Sequence, residues 1–125
     1  MRIVLHAGED LEFSQFEAPD LTLEPEHPRL RYGPMQMFAT SLALCTYSVL
    51  AVYAETIDTP VEDLSMRVRW SYAQQPNRID RIDMDIQWPA LPPARLQAAR
   101  LAASHCTLHH TLENPPAIAT RVATG

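Results

Sequence analysis

The sequence contains no lysine, and all ten of its basic residues are arginine. A Schiff-base lysine, a pyridoxal-phosphate site and the lysine of a phosphate-binding loop are therefore excluded. Glycine is almost as scarce, with three residues in a chain of 125. The chain therefore has no glycine-rich nucleotide loop. Because these absences remove the common cofactor sites, we expect no cofactor.

The charge balance is acidic, with a formal net charge of −5 at pH 7. No basic patch is available to neutralise phosphates, so nucleic acid is not expected as a partner. The apolar run at residues 1–6 is too short for a signal peptide. We therefore expect a cytoplasmic protein. In that compartment a cysteine pair is more often redox-active or metal-binding than a structural disulfide.

Residues 36–55 are apolar on nearly every side and are predicted to form a long, buried helix. The helix follows the turn at Gly33 and Pro34 and ends before Pro60, which cannot continue it. Its length almost suffices to span a membrane, but Thr40, Ser48 and the lack of a basic flank argue against insertion. We expect no membrane contact. One small sheet cannot cover such a helix, so a second copy of the chain is expected to do so in a tight homodimer.

Two stretches after the long helix show the clearest alternation of apolar and polar side chains. Residues 64–72 and 82–88 are predicted to form an antiparallel strand pair with one buried face. Arg67 and Arg69 are expected to lie across from Asp83 and Asp85 on the solvent face.

Shorter elements flank these two features. Before the long helix, residues 2–7 and 11–16 predict a hairpin, and residues 21–23 a third strand. After the strand pair we predict a helix at 95–103, a short helix at 105–112 capped by Ser104, and a last strand at 117–123. The chain length suits a single domain, 1–125, of the α+β class.

The chemistry of the sequence centres on its two cysteines. Cys45 lies in the middle of the long helix, with Phe38 and Leu42 beside it. Cys106 lies in the first turn of a short helix, where unpaired N–H groups and the helix dipole favour a thiolate. The alternative for either cysteine taken alone is an inert buried thiol.

A metal site is a further alternative, because three histidines surround Cys106. His105, His109 and His110 are close enough in sequence for two of them to share a helix face with Cys106, and Cys45 would complete four ligands. The spacing matches no established zinc motif, and surface histidines on a short helix explain it equally well. We therefore predict no metal.

Two motifs around the cysteines resemble the OsmC/Ohr family, the osmotically inducible protein C and organic hydroperoxide resistance proteins. Residues 33–45, GPMQMFATSLALC, resemble the stretch in which the family's long helix begins after a proline and carries the first cysteine. Residues 99–106, ARLAASHC, resemble the helix that delivers the second. The order of three strands, long helix, two strands, two helices and strand also matches over nearly the whole chain.

The resemblance implies an intertwined OsmC-like homodimer with a buried central helix, and thiol-dependent reduction of organic hydroperoxides. Cys45 would take the peroxidatic role and become a sulfenic acid. Cys106 would be the resolving thiol, closing a Cys45–Cys106 disulfide that an external dithiol reduces. Phe38 and Leu42 are the predicted substrate-binding residues.

The sequence departs from the family pattern at Met35. Active members carry a glutamate there, paired with an arginine from the N-terminal strands, a region in which this chain has only Arg2. Without a cation near it, Cys45 is expected to have a pKa raised by burial. Two functions stay open: a thiol peroxidase, weak or of altered substrate range, and an inactive OsmC-like protein that binds a small apolar ligand between Phe38, Leu42 and Cys45.

Overall fold

A five-stranded sheet with one long helix packed across it forms the framework of the computed structural model, which describes residues 1–125. The strands are β1 (Arg2–Ala7), β2 (Asp10–Ser14), β3 (Thr22–Pro25), β4 (Ser65–Ala73) and β5 (Arg78–Gln87). The helices are α1 (Pro34–Thr56), α2 (Leu96–Ala103), which follows a 3₁₀ turn, and α3 (Thr107–Glu113). The mixed α+β class predicted from the sequence is confirmed.

The strands lie in the order β3-β1-β2-β4-β5. Neighbouring strands are antiparallel except for the parallel pair β1 and β3. Since the order is open, β3 and β5 are the two edges of the sheet. The predicted hairpin and the predicted strand pair are therefore both present, as β1–β2 and β4–β5.

The hydrophobic core lies between α1 and one face of the sheet. Side chains alternate across a strand, so every second residue of β1, β2 and β4 points towards α1. Fully buried sheet residues are Ile3, Leu5, Leu11, Phe13, Met66 and Val68. Small side chains on α1, among them Ala43 and Ala54, are also buried. These small residues let the helix backbone approach the large side chains of the sheet.

Gln36 sets the start of α1 and fastens it to the sheet. The backbone N–H of Gly33 donates to its Oε1 at 2.8 Å. Its own side-chain amide donates to the carbonyl of Gly8, in the β1–β2 turn, at 2.8 Å. The first backbone groups of a helix lack partners within the helix, so a side chain that reaches back in this way stabilises the helix start.

The side of α1 that faces away from the sheet is open in the single chain. Met37, Leu44 and Val52 are 55%, 39% and 65% exposed, with the exposed residues Ser41 and Ser48 between them. We call these five residues the open stripe of α1. The helix is also long and apolar enough to cross a membrane by length and composition, a test that core helices of water-soluble proteins pass as well.

The charged side chains of the sheet lie on the face opposite α1. Arg67 pairs in register with Asp85, and Arg69 with Asp83, as predicted. The ion pairs themselves differ: Arg67 binds Asp10 on β2 at 2.8 Å, and Arg69 binds Asp85 diagonally at 2.6 Å. Exposed pairs of this kind contribute little stability. Their importance here is that they direct these guanidinium groups away from α1.

The prediction of a last strand at residues 117–123 is wrong for the single chain. The segment 115–125 follows α3 without strand pairing, and Ile118 and Val122 are 87% and 90% exposed. A strand exists only through hydrogen bonds to a neighbouring strand. The segment lies along neither sheet edge, so its apolar pattern has no partner within the chain.

The predicted cap of the short helix is also wrong. Ser104 has helical backbone angles and ends α2, where its hydroxyl donates to the carbonyl of Leu101 at 2.7 Å. Cys106 is the N-cap of α3, with an extended backbone and a sulfur that accepts the N–H of His109 at 3.3 Å. The helix therefore begins at Thr107, directly after the thiol.

Candidate active site

The two cysteines meet where α3 begins, beside the middle of α1. Cys45 is partly exposed, Cys106 is fully buried, and both are free thiols. The two thiols lie close enough for each to shift the pKa of the other. Helix α2 makes this contact possible, because it packs on the core through buried Ala99 and ends at Ala103, three residues before Cys106.

The sulfur of Cys45 lies beside the N–H groups at the start of α3. Burial acts to raise the pKa of Cys45, but the N–H of Leu108, the thiol of Cys106 and the N–H of Thr107 together hold that pKa below its ordinary value. The first N–H groups of a helix have no partner within it and carry its positive dipole end. The expectation of a raised pKa is therefore wrong, because backbone donors replace the missing cation.

Cys106 has the opposite character. Burial and the neighbouring Cys45 raise the pKa of Cys106, and this effect exceeds that of the donors, the N–H of His109 and the hydroxyl of Thr46. Cys106 therefore keeps its proton and donates it towards Cys45. The expectation that the helix start favours a thiolate at Cys106 is wrong, since the N–H groups of Thr107 and Leu108 point at Cys45 instead.

We expect Cys45 to be alkylated with a pH midpoint below that of a free thiol, because the pKa of Cys45 is lowered. Cys106→Ala removes one donor and should raise this midpoint. Met35→Ala should leave it unchanged, because Met35 is not among the groups that act on Cys45. Peptide mass spectrometry after iodoacetamide treatment at graded pH measures all three proteins. A wild-type midpoint at or above that of a free thiol would contradict the account of amide activation.

Met35 lies apart from the thiol pair. It borders a groove of ≈ 790 Å³ between the start of α1 and β5, together with Phe38. No guanidinium acts on Cys45, and Arg2 pairs with Glu24 on the solvent face of the sheet. The glutamate–arginine pair implied by the family resemblance is therefore absent from the single chain.

Phe38 and Leu42, the predicted substrate-binding residues, lie close to each other in a gap that Cys45 does not line. This narrow apolar gap lies between α1 and the sheet. Leu42 also borders a groove of ≈ 390 Å³ that includes His109 on α3. Apolar surface thus reaches from the start of α1 to α3, the helix that begins directly after Cys106.

Sequence reasoning overlooked Thr46 and the N–H groups of Thr107 and Leu108. Thr46 is buried, its hydroxyl donates to the carbonyl of Leu42 at 2.9 Å, and it acts to lower the pKa of Cys106. Had the sequence analysis predicted that α3 starts after Cys106, the free N–H groups of its first turn would have been assigned to Thr107 and Leu108. A hydroxyl next to Cys45 in an otherwise apolar helix was the available signal for Thr46.

The histidines near Cys106 do not form a metal centre. No group of three or more His, Cys, Asp and Glu side chains in residues 1–125 is arranged to hold a metal ion. The rings of His105 and His110 are 5.6 Å apart between centroids, and His109 faces Glu113 at 3.4 Å. The four-ligand arrangement considered from the sequence is therefore not formed.

Comparison with known proteins decides the family. A family model described as OsmC-like protein matches residues 27–121, a range that contains α1, both cysteines and the elements between them. The chain belongs to the OsmC-like protein family. The resemblance seen in the sequence is thereby confirmed. No curated protein matches the chain.

Two solved structures are similar to this chain. An OsmC-like hydroperoxide resistance protein from Jannaschia sp. CCS1 has a TM-score of 0.59 and 27% identity, covering 74% of this chain and 67% of that one. A candidate osmotic stress induced and detoxification response protein from Psychrobacter arcticus 273-4 has a TM-score of 0.61 and 15% identity, covering 87% and 84%. At that identity the second structure shows the fold alone. The OsmC-like family thus includes proteins named for hydroperoxide resistance.

Proposed function

We propose that the OsmC-like chain is a thiol peroxidase that reduces organic hydroperoxides. One observation carries the proposal: a partly exposed Cys45, whose pKa the backbone N–H groups of Leu108 and Thr107 help to lower, lies beside the buried Cys106, whose pKa is raised by burial. A thiolate is the reactive form of cysteine, and a second thiol in contact with it is placed to form a disulfide. The hydroperoxide resistance protein from Jannaschia supports the choice of substrate.

The proposed reaction uses both thiols in turn. The Cys45 thiolate attacks the terminal peroxide oxygen, the O–O bond breaks, and the alkoxide leaves as an alcohol after taking up a proton. Cys106 then attacks the sulfur of the sulfenic acid, forming the disulfide and releasing hydroxide, which the Cys106 proton converts to water. An external dithiol supplies two electrons and two protons to restore Cys45 and Cys106.

Phe38 and Leu42 are proposed to contact the apolar part of the hydroperoxide. Both lie on α1, Phe38 about two helical turns and Leu42 about one turn before Cys45, and each borders a groove that is lined mainly by hydrophobic residues. Burial of apolar substrate surface there would favour organic hydroperoxides over hydrogen peroxide.

A second candidate function rests on the absence of a guanidinium at Cys45. In this alternative the chain is a catalytically inactive OsmC-like protein that binds a small apolar ligand near Phe38 and Leu42. The groove of ≈ 790 Å³ beside Phe38 has the size of a small-molecule site. Hydroperoxide turnover distinguishes the two functions.

We further propose that two copies form an intertwined homodimer. The open stripe of α1 supports this, because a second copy would cover Met37, Leu44 and Val52, while the small Ser41 and Ser48 allow close approach. The unpaired segment 115–125 and the free edge of β5 support it as well. An apolar segment and a free strand edge in one chain suit strand pairing between two copies.

The remaining partners follow from this chemistry. A disulfide that an external dithiol reduces in every cycle requires a reducing compartment, so we propose the cytoplasm. The small substrate enters by diffusion, and the acidic charge of −5 gives no reason to propose nucleic acid as a partner. The open stripe of α1 is assigned to the second copy rather than to a membrane.

The test is oxidation of the reduced protein with one equivalent of cumene hydroperoxide. We expect one Cys45–Cys106 disulfide and one molecule of alcohol per chain, measured by peptide mass spectrometry and chromatography. In Cys106→Ser, dimedone should trap a sulfenic acid at Cys45, with no disulfide. If wild-type Cys45 is over-oxidised and no crosslink forms, Cys106 is not the resolving thiol. If Cys45 stays reduced, the ligand-binding alternative is favoured.

A further inference from the structure

We propose that a pocket beside α2 binds a medium-chain carboxylate, with the alkyl chain inside the pocket and the carboxylate on Arg100. We call it the α2 pocket. It shares no lining residue with the grooves around Phe38 and Leu42, and neither cysteine lines it. The inference therefore goes beyond the proposed peroxidase function and does not depend on it.

The α2 pocket lies between α2, α1 and the end of β5, and its volume is ≈ 400 Å³. Leu50, Trp88 and Ala99 form the buried part of its wall. Leu96 also lines it and is 66% exposed, so the pocket opens to solvent beside this side chain. Sites for small molecules are concave, mainly apolar and of about this size.

Small side chains on α2 leave this space unfilled. Ala99 and Ala103 pack α2 against the core and line the pocket, and neither side chain reaches across it. Trp88 is fixed in place, because its indole N–H donates to the carbonyl of Pro60 at 2.8 Å and its ring packs edge-on against Tyr53. Protein interiors are normally close-packed, so a fixed apolar space of this volume suits an alkyl chain.

Two polar residues, Arg100 and Gln87, line the pocket. Arg100 is paired with no carboxylate of the chain. The arginines that do form ion pairs are Arg2, Arg67, Arg69 and Arg81. A guanidinium binds a carboxylate through two parallel hydrogen bonds, and the side-chain amide of Gln87 offers a further donor. The polar part of the pocket therefore suits a carboxylate.

The charge around the pocket also favours an anion. The whole chain carries a net charge of −5, yet residues 86–112 contain no aspartate or glutamate, two arginines and three histidines. One carboxylate that contacts this segment is Asp63, and it accepts the backbone N–H of Ala90 at 3.1 Å. A carboxylate ligand thus meets a locally basic surface on an acidic protein, and charge complementarity of this kind directs binding to that surface.

The experiment titrates the full-length protein with sodium octanoate and follows it by ¹H–¹⁵N NMR. We expect a Kd below about 1 mM. The indole N–H signal of Trp88 should shift, because Trp88 lines the α2 pocket. The signal of Trp70 should stay in place, because Trp70 lines the gap beside Phe38 instead. The two tryptophans therefore report which site is occupied.

A neutral probe of the same chain length, 1-octanol, tests the role of Arg100. Wild-type protein should bind octanoate about tenfold more tightly than 1-octanol, the effect of a charge-assisted hydrogen bond. Arg100→Gln should lose this preference while 1-octanol still binds. Arg95→Gln is the matched control, because Arg95 is another exposed arginine next to α2 that does not line the pocket. It should retain the wild-type preference.

Two exposed leucines of α2 test the apolar part. Leu96→Ser removes a lining side chain and should weaken both probes about fivefold. Leu101→Ser is its control, because Leu101 is 57% exposed and does not line the pocket. It should bind both probes as wild type does. Since Leu96 and Leu101 are both largely exposed, both variants should fold.

Three results would overturn the inference. The first is no binding of octanoate with Trp88 unmoved, which would also be the result if a second copy covered the pocket. The second is a shift of Trp70 in place of Trp88, which would locate the ligand beside Phe38. The third is an unchanged octanoate preference in Arg100→Gln. A wild-type protein that forms no Cys45–Cys106 disulfide but binds octanoate as described would refute the peroxidase proposal and support this inference.

Discussion

Replacing Cys45 with serine is expected to lower the consumption of organic hydroperoxide by about a thousandfold or more. A serine hydroxyl stays protonated at neutral pH, and its oxygen is a poor nucleophile towards peroxide oxygen. The N–H groups of Thr107 and Leu108 hold the pKa of Cys45 below its ordinary value, but they cannot ionise an alcohol to a useful extent. Peroxide remaining over time, with a dithiol as reductant, is the measurement.

Cys106→Ser is the matched control for this substitution. Serine retains a donor towards Cys45 and is itself a good helix N-cap, so the start of α3 should be preserved. This variant should consume the first equivalent of peroxide at close to the wild-type rate and then slow, because the disulfide cannot form. A Cys45→Ser protein as active as wild type would overturn the assignment of the peroxidatic thiol.

Placing glutamate at both Leu44 and Val52 is expected to convert the proposed dimer to monomers at micromolar concentration. Each apolar side chain buried at an interface contributes up to about 1.5–3 kcal/mol, and burying unpaired carboxylates costs several more. The combined loss corresponds to at least a hundredfold weaker dimer. Both side chains point away from the core of their own chain, so the subunit should remain folded. Sedimentation velocity and circular dichroism measure the two properties.

The control for this pair is Leu21→Glu, which replaces a leucine that is 60% exposed in the connection between β2 and β3. It adds a carboxylate without touching the open stripe of α1, so the dimer should persist. A wild-type protein that sediments as a folded monomer would show that the apolar stripe needs no second copy. A dimer unaffected by both glutamates would place the interface elsewhere, for example along β5 and the segment 115–125.

The sequence by itself determined the framework of this protein. The alternation at residues 64–72 and 82–88 indicates two strands with one buried face because side-chain direction has a period of two. The apolar run before Pro60 indicates a long helix, and the motifs at residues 33–45 and 99–106 indicate the OsmC-like family. These signals are local, and each is visible within about twenty residues of sequence.

Only the tertiary structure decided how the two thiols differ. The pKa of Cys45 depends on the N–H groups of Thr107 and Leu108, which lie some sixty positions further along the chain. Sequence reasoning placed the start of α3 too early, and so attributed those N–H groups to Cys106. In the structure these N–H groups act on Cys45 and lower its pKa. They replace the cation that the family's glutamate would hold near the thiol and that Met35 cannot hold.

The structure also showed that the last predicted strand does not form within the single chain. Ile118 and Val122 would lie on the same face of an extended chain, but a strand requires a partner edge as well as a pattern. No edge within the chain meets segment 115–125. The hydrogen bonds of a helix join residues only a few positions apart. Strand pairing, and the lowering of the Cys45 pKa by the N–H groups of α3, depend on segments that are distant in sequence. That difference separates what the sequence determined here from what the fold had to supply.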